Sequence, residues 1–294
     1  MMIGQKLYFA GLFFSALAAG CSSKGSHGGG TTGGEGGETG GAGGGPAETS
    51  EAQLRVAHLS PTAPRVDVCL LHDRESVGPL MSSVLHAKNG LDYAEVTRYL
   101  RVPAGKYTLR LVEPGSRACE KGLAGVKDVT GVELAGKAHY TVAALGGLGL
   151  AGQATAPIQV KTFTDQTEPV SGKARLRFIH AASGAPAIDV GLGAGTAFHP
   201  LVTNVKFGQP GRAKGDENGY FTTAPVDKEP LVLRASGTTN DLATLPGFTV
   251  RAGEVATTFA IGEPTSQTRP LDALVCADSD EATENLSRCS RLRK

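Results

Sequence analysis

One stretch of this chain is written twice. Leu54-Arg55-Val56-Ala57-His58-Leu59-Ser60-Pro61-Thr62-Ala63-Pro64-Arg65-Val66-Asp67-Val68-Cys69-Leu70 aligns without a gap on Leu176-Arg177-Phe178-Ile179-His180-Ala181-Ala182-Ser183-Gly184-Ala185-Pro186-Ala187-Ile188-Asp189-Val190-Gly191-Leu192. Leu, Arg, His, Ala, Pro, Asp, Val and Leu recur at matching places. Looser pairs follow: Val102-Pro103-Ala104-Gly105-Lys106-Tyr107 with Ala224-Pro225-Val226-Asp227-Lys228-Glu229, and Leu134-Ala135-Gly136-Lys137 with Val250-Arg251-Ala252-Gly253. A repeat constrains the fold strongly, because each copy has to be one like structural unit. Two copies of one domain are predicted, 52–167 and 173–294, joined near Asp165 to Gly172, the second with a C-terminal tail.

Each copy has the periodicity of strands. In Lys106-Tyr107-Thr108-Leu109-Arg110-Leu111-Val112, apolar Tyr107, Leu109 and Leu111 alternate with Thr108 and Arg110, the period of a half-buried strand. Val66-Asp67-Val68-Cys69-Leu70 and Leu176-Arg177-Phe178 alternate in the same way. Turn residues punctuate at short intervals, as in Pro103-Ala104-Gly105, Pro114-Gly115 and Ala252-Gly253. No segment forms a convincing amphipathic helix of more than two or three turns. The predicted class is all-β: two tandem antiparallel β-sandwich, Ig-like domains.

The N-terminus is built differently. Lys6 precedes the uncharged apolar run Leu7 to Ala19, which has the length of an export-signal core and is short for a membrane-spanning helix. It ends at Ala18-Ala19-Gly20-Cys21, which resembles the lipobox of bacterial lipoproteins, although Leu17 stands one place further back than the box usually has it. That resemblance implies a signal peptide over 1–20, lipid (palmitate among the acyl groups) on Cys21 and, with Ser22 following, sorting to the outer membrane. Much of the chain's total of 41 Gly falls in the stretch after Cys21. Residues 21–51 are expected to form a disordered Gly-rich linker, including an inert His27, with an end-to-end reach on the order of 30 Å.

A family resemblance is carried by His58-Leu59-Ser60-Pro61-Thr62-Ala63-Pro64-Arg65-Val66-Asp67-Val68, by Val102-Pro103-Ala104-Gly105-Lys106-Tyr107-Thr108-Leu109 and by Ala135-Gly136-Lys137-Ala138-His139-Tyr140-Thr141-Val142. These resemble the domain of unknown function 4397 family of exported bacterial β-domains. The second copy keeps His180, Ala185, Pro186, Asp189 and Val190 but has Ala182-Ser183 where the family has Ser-Pro. The resemblance implies fold and an envelope location, and brings no activity or catalytic residues.

Apart from Cys21, four cysteines remain: Cys69, Cys119, Cys276 and Cys289. An even set in an exported chain predicts disulfides, with three pairings open. Cys69 with Cys119 and Cys276 with Cys289 is the favoured pairing, the latter closing a tail loop against the second domain. No Cys-x-x-Cys or nearby His pair has metal-ligand spacing, and no metal or cofactor is expected.

Candidate chemistry is sparse. His58 and His180 share parity with Leu54, Val56, Leu176 and Phe178 and so end inward-facing rows; a ligand or proton-transfer role competes with a buried histidine bonded to the Pro-rich turn that follows. Asp67 and Asp189 are either catalytic bases or turn and edge-strand acceptors, the latter being favoured. Gly147-Leu148-Gly149-Leu150-Ala151-Gly152 matches a dinucleotide-binding pattern by letter, but Pro157 and the β-rich Ile158 to Phe163 deny it the helix that would hold a pyrophosphate. Asn285-Leu286-Ser287 is an incidental glycosylation triplet.

Lys plus Arg number 29 against 28 Asp plus Glu, which leaves no field to recruit nucleic acid. The expectation is a non-enzymatic envelope module, attached to the membrane through Cys21 and contacting an envelope polysaccharide or protein. The low aromatic content argues against a strong sugar-stacking platform. The alternative is a hydrolase using a site around His58, Asp67 or their second-copy equivalents.

Overall fold

Alternation along β1 (Glu51–His58) puts Leu54 and Val56 on one face and Arg55 and Ala57 on the other, yet both rows are buried. A strand buried on both faces has to lie between two layers. In the computed structural model, which describes residues 50–73, 75–147, 156–212, 216–278, 282–283 and 286–293, that is where β1 lies: one face meets its own sandwich and the other meets a second one.

The first sandwich continues through β2 (Asp67–His72), β3 (Glu75–Val77), β4 (Glu95–Val96), β5 (Leu100–Pro103), β6 (Gly105–Val112), β7 (Val129–Leu134), β8 (His139–Leu145) and β9 (Gln159–Asp165). One of its sheets has the order β4-β1-β8-β9, with β5 also on β1, and the other has the order β3-β2-β6-β7. Leu54, Val56 and Val142 from the first sheet and Val68, Leu70 and Leu109 from the second fill the space between them. Each such side chain, fully buried, contributes roughly 1.5–3 kcal/mol.

The second sandwich follows the same plan. It comprises β10 (Ala174–His180), β11 (Ile188–Leu192), β12 (His199–Val205), β13 (Tyr220–Thr223), β14 (Val226–Ala235), β15 (Asp241–Val250), β16 (Val255–Ile261) and β17 (Asp272–Ala277). The tail adds β18 (Ala282–Thr283), β19 (Leu286–Ser287) and β20 (Cys289–Arg291). The sheets are ordered β13-β10-β16-β17-β20 and β12-β11-β14-β15, over a core that includes Leu176, Phe178, Val190, Leu233 and Phe248. Helical structure among the described residues is confined to single turns at Leu80–Val84 and Gly195–Ala197.

The expected all-β sandwiches are present, and their pairing is antiparallel with one exception in each. The sheets are not wholly antiparallel: β1 runs parallel to β8, and β10 parallel to β16. A parallel pair needs a long crossover, and in each sandwich all strands of the opposite sheet lie between the two partners along the chain. The repeated segments thus become the central first strands of equivalent sheets.

The two inner sheets face each other. Ala57, Leu59, Ala143 and Leu145 from the first sandwich share one apolar cluster with Ile179, Phe259, Ile261, Leu274 and Cys276 from the second. Residues 48–294 accordingly form one compact unit. The tail crosses this seam: β20 pairs with β17, whereas Leu286 on β19 bridges to Thr97 of the first sandwich. The export signal with Cys21, the Gly-rich linker with His27 as far as residue 49, residues 148–152 of the Gly-x-Gly pattern and Asn285 lie outside the described residues; Glu51, expected at the end of the linker, instead begins β1 opposite Pro103.

Disulfides join Cys69 to Cys119 and Cys276 to Cys289. The first has no counterpart in the second sandwich, where Gly191 stands in place of Cys69. A Cβ on Gly191 would come within 2.3 Å of the His199 carbonyl and 2.6 Å of the Phe198 ring. No side chain fits there.

Candidate functional site

His58 and His180 end β1 and β10 and are wholly buried. His58 Nε2 donates to the Pro64 carbonyl at 2.9 Å, and its Nδ1 accepts from the Ser60 amide at 3.4 Å. His180 repeats this, donating to Pro186 at 2.8 Å and accepting from Ala182 at 3.3 Å. Both nitrogens of each ring are engaged in fastening the turn that follows the strand. Burial pushes the His58 pKa down to about 4, against the upward pull of the Pro64 hydrogen bond; burial lowers that of His180 too, against its bonds to Pro186 and Ala185. Two neutral, fully bonded rings offer no proton-transfer site at neutral pH.

Asp67 and Asp189 serve loops. Asp67, fully buried, accepts through Oδ1 from the Val68 and Met81 amides at 2.7 and 2.8 Å. Its Oδ2 accepts from the amide and hydroxyl of Ser82 at 2.9 and 2.8 Å. This carboxylate fastens the turn Leu80–Val84. Asp189 Oδ1 accepts from the Asn204 amide at 2.7 Å and the Ser236 hydroxyl at 2.8 Å, and Oδ2 from the Gly237 amide at 3.3 Å. Burial opposes the charge of Asp189, but these donors hold its carboxyl below the usual range.

The richest polar site is one that the residues alone did not announce. Arg55 donates through Nε to Thr141 Oγ1 at 2.8 Å, through Nη1 to the Ala277 carbonyl at 3.0 Å and through Nη2 to Asp278. Arg177 donates through Nε to Thr257 Oγ1 at 3.1 Å, through Nη1 to the Thr164 carbonyl at 2.8 Å and through Nη2 to Asp165. Arg55 belongs to the first sandwich and Asp278 to the second, whereas Arg177 and Asp165 are the reverse. The ion pairs therefore cross the seam in both directions, as a pseudo-twofold arrangement demands.

The remaining acceptor capacity is filled from the same symmetric set. Tyr99 and Thr141 donate to Asp165 at 2.8 and 2.5 Å, and Tyr220 and Thr257 donate to Asp278 at 2.7 and 2.6 Å. The guanidinium carbons of Arg55 and Arg177 lie 4.9 and 4.5 Å from the ring centroids of Tyr99 and Tyr220. Burial penalises the Asp165 charge, but Arg177 and Arg55 outweigh it and hold the carboxyl below its usual range. Burial likewise opposes the charge on Arg55, and Tyr99, Asp278 and Asp165 keep it protonated. A fully bonded buried network of this kind is a rigid joint. The one signal in the sequence was an Arg repeated at the same place beside apolar neighbours.

A groove of about 780 Å³ opens beside the seam, where the first sandwich meets the tail. Leu85, Leu91 and Leu286 provide apolar surface, Arg65, Lys88 and Glu95 provide charge, His86 provides an imidazole, and no Phe, Tyr or Trp lines it. Arg65 is paired with Asp92 at 2.7 Å, and Glu95 accepts the Asp92 amide at 2.7 Å. Ser287 holds the tail wall in place by donating its hydroxyl to the Thr97 carbonyl at 2.6 Å. Among the described residues, no cluster of His, Cys, Asp or Glu could hold a metal ion.

Comparison with known proteins adds family information over part of the chain. A family described as Domain of unknown function (DUF4397) matches residues 52–191, from β1 through the first sandwich and into β11. No curated protein sequence matches. Among solved structures, the chain is similar to CBMbc, a family CBM26 carbohydrate-binding module of Eubacterium rectale Amy13K in complex with maltoheptaose. The identity is 14%, 79% of this chain and 98% of that chain are covered, and the TM-score is 0.19. A score this low relates neither fold nor ligand.

Proposed function

We propose that this chain is a non-enzymatic binding module of the bacterial cell envelope, held at the outer membrane by lipid on Cys21 and carried clear of it by the Gly-rich linker. Its two sandwiches, 52–167 and 173–294, act as one rigid body, and the groove beside their seam receives an extended segment of an envelope protein. The crossed pairs Arg55–Asp278 and Arg177–Asp165 carry this reading. They spend the most polar site of the molecule on rigidity, and rigidity lowers the ordering cost of binding at a surface. Two disulfides support an oxidising compartment. The engaged states of His58, His180, Asp67 and Asp189 speak against the hydrolase alternative. A peptide suits the groove better than a sugar, because apolar Leu286 and cationic Lys88 line it and no Phe, Tyr or Trp ring offers a broad stacking face.

A photo-crosslinking residue at position 88, in intact cells, tests the groove. A discrete envelope-protein adduct is expected, absent with the probe at exposed Lys228 and lost on Leu286→Asp; equal labelling from both positions overturns the binding site. Cys21→Ser tests the anchor. The variant should appear as a soluble or uncleaved form, and a fully processed form that still needs detergent for extraction overturns lipid attachment.

A further inference from the structure

We infer that the outer edge of β9 is a second binding site, which takes an extended segment of a separate polypeptide as one more antiparallel strand. This site shares no lining residue with the groove at Leu286 and does not depend on it.

The pairing registers relate the two sandwiches residue by residue. Arg55 lies opposite Thr141 and Thr141 opposite Phe163, while Arg177 lies opposite Thr257 and Thr257 opposite Cys276. Phe163 of β9 thus corresponds to Cys276 of β17, Lys161 to Leu274 and Thr164 to Ala277. The surroundings agree, since Arg177 Nη1 donates to the Thr164 carbonyl as Arg55 Nη1 does to that of Ala277. The correspondence stops at the outer edge. β17 carries β20, with Cys276 opposite Cys289 and Leu274 opposite Arg291. The Ala277 amide donates to the Arg288 carbonyl and the Leu292 amide to that of Ala273, each at 3.0 Å. Among the described residues, the one strand partner of β9 is β8.

A free edge is ordinary in itself; what sets this one apart is a groove of about 260 Å³ along it. Lys161, Phe163 and Thr164 form one wall, and Gly208-Gln209-Pro210 form the other. Residues 208–210 hold beside β10 the place that 94–96 hold beside β1. The Gly208 amide donates to His180 and the Ala94 amide to His58, both at 2.8 Å, and Pro210 bridges to Ile179 as Val96 pairs with Ala57. In the corresponding position the tail lies between β17 and the first sandwich, pairing at Cys276 and bridging to Thr97. One half of the molecule fills this position with its own strand, and the other leaves it as a groove.

The groove's atoms say what it selects. In an antiparallel pair, successive residues turn their main-chain groups alternately towards and away from the partner. The Thr164 carbonyl is turned to Arg177, so Thr164, Thr162 and Val160 face away from β8, as Ala277 and Ala273 face β20. A row of main-chain donors and acceptors calls for a main-chain ligand, which is strand addition. Phe163 belongs to the seam cluster, so added residues opposite Phe163 and Lys161 face the second sandwich. Half-buried Lys161 lies by Gly208 at one end of the groove. Glu217 stands at the other end, where its neighbour Asp216 accepts from Gln166 Nε2 at 2.8 Å. Antiparallel addition therefore asks for a small apolar residue opposite Phe163, an acidic one two places later opposite Lys161, and a basic one towards the N-terminal end. The two walls admit a single strand, which favours such a segment over a second copy presenting its whole sheet edge.

The test is amide hydrogen exchange of the full chain with an excess of the capped peptide Lys-Thr-Val-Thr-Glu-Val. Exchange at Thr162 and Thr164 should slow by about fivefold or more, and the peptide with Lys and Glu interchanged should have no such effect. Lys161→Glu should reverse that preference. Thr162→Pro removes one outward amide at an edge where proline is tolerated and should abolish the protection, whereas Leu286→Asp should leave it unchanged. No protection by either peptide, or a preference that Lys161→Glu does not reverse, overturns the inference, and these outcomes hold even where Thr162→Pro fails to fold. Loss of the effect in Leu286→Asp puts the peptide in the other groove and overturns it too. Protection without peptide that rises with protein concentration makes a second copy the occupant, and protection lost on deleting residues 22–47 makes the linker the occupant; either result overturns the separate partner.

Discussion

Arg55, buried beneath two sheets, places its Nη2 on the carboxylate of Asp278 across the seam, and Arg177 returns the same bond to Asp165. Each sandwich supplies a threonine to the Nε of its own arginine, but the carboxylate on each Nη2 comes from across the seam. Removing one partner leaves a buried charge uncompensated, which costs about 3–5 kcal/mol, whereas replacing both by apolar residues removes the desolvation penalty too. Asp278→Ala should destabilise by about that amount, and Arg55→Met combined with Asp278→Leu should recover more than half of it. Urea unfolding of the three proteins decides, and an additive double variant would show that the two residues do not act as a pair.

Acid should weaken the fold in a window set by the histidines. His58 has an ordinary pKa of 6.5 and a folded one pushed down to about 4 by burial. Between these values the unfolded chain binds a proton that the folded chain refuses, so stability is fully present above pH 6.5 and falls as pH drops towards 4. The loss at the lower end is on the order of 3 kcal/mol for His58, and the lowered pKa of His180 adds in the same direction. Asp165, lowered in the fold, adds a further loss below the ordinary carboxylate range as pH falls through its folded value. His58→Gln should be less stable at pH 7 and less steep between pH 7 and 4.5. An unchanged slope in urea midpoints would remove His58 as its cause.

Asp67→Ala strands the amides of Met81 and Ser82 inside the protein and should cost about 3 kcal/mol. Asn does not rescue it well, because all four bonds to the carboxylate come from donors and an amide NH₂ would face one or more of them. Melting temperatures of both variants check this. A wild-type value for Asp67→Asn would contradict the acceptor-only role.

Gly191→Ala should destabilise by about 1–3 kcal/mol through overpacking, since the new methyl meets the His199 carbonyl and the Phe198 ring. Gly247→Ala, where nothing lies within 4 Å, carries only the strain of its positive φ and serves as the comparison. Equal melting temperatures for the two variants would argue against the close approach at Gly191.

The sequence alone determined the all-β class, the recurrence of one unit and the parity of its strands, because period-two alternation and a gapless repeat are local properties of the chain. It also carried the histidine at the head of each Pro-rich turn, a contact made within six residues. What escaped it were relations between distant segments. The parallel pairing of β1 with β8 joins strands separated by the whole opposite sheet. More telling is Arg55: its parity puts it outside its own sandwich, where an arginine beside Ala57 is an ordinary solvent-facing residue. Only the packing of the second sandwich turns that outer face into an interior, and only there does the guanidinium meet Asp278. Parity along a strand records which side a residue takes; what covers that side is decided by the other sheet.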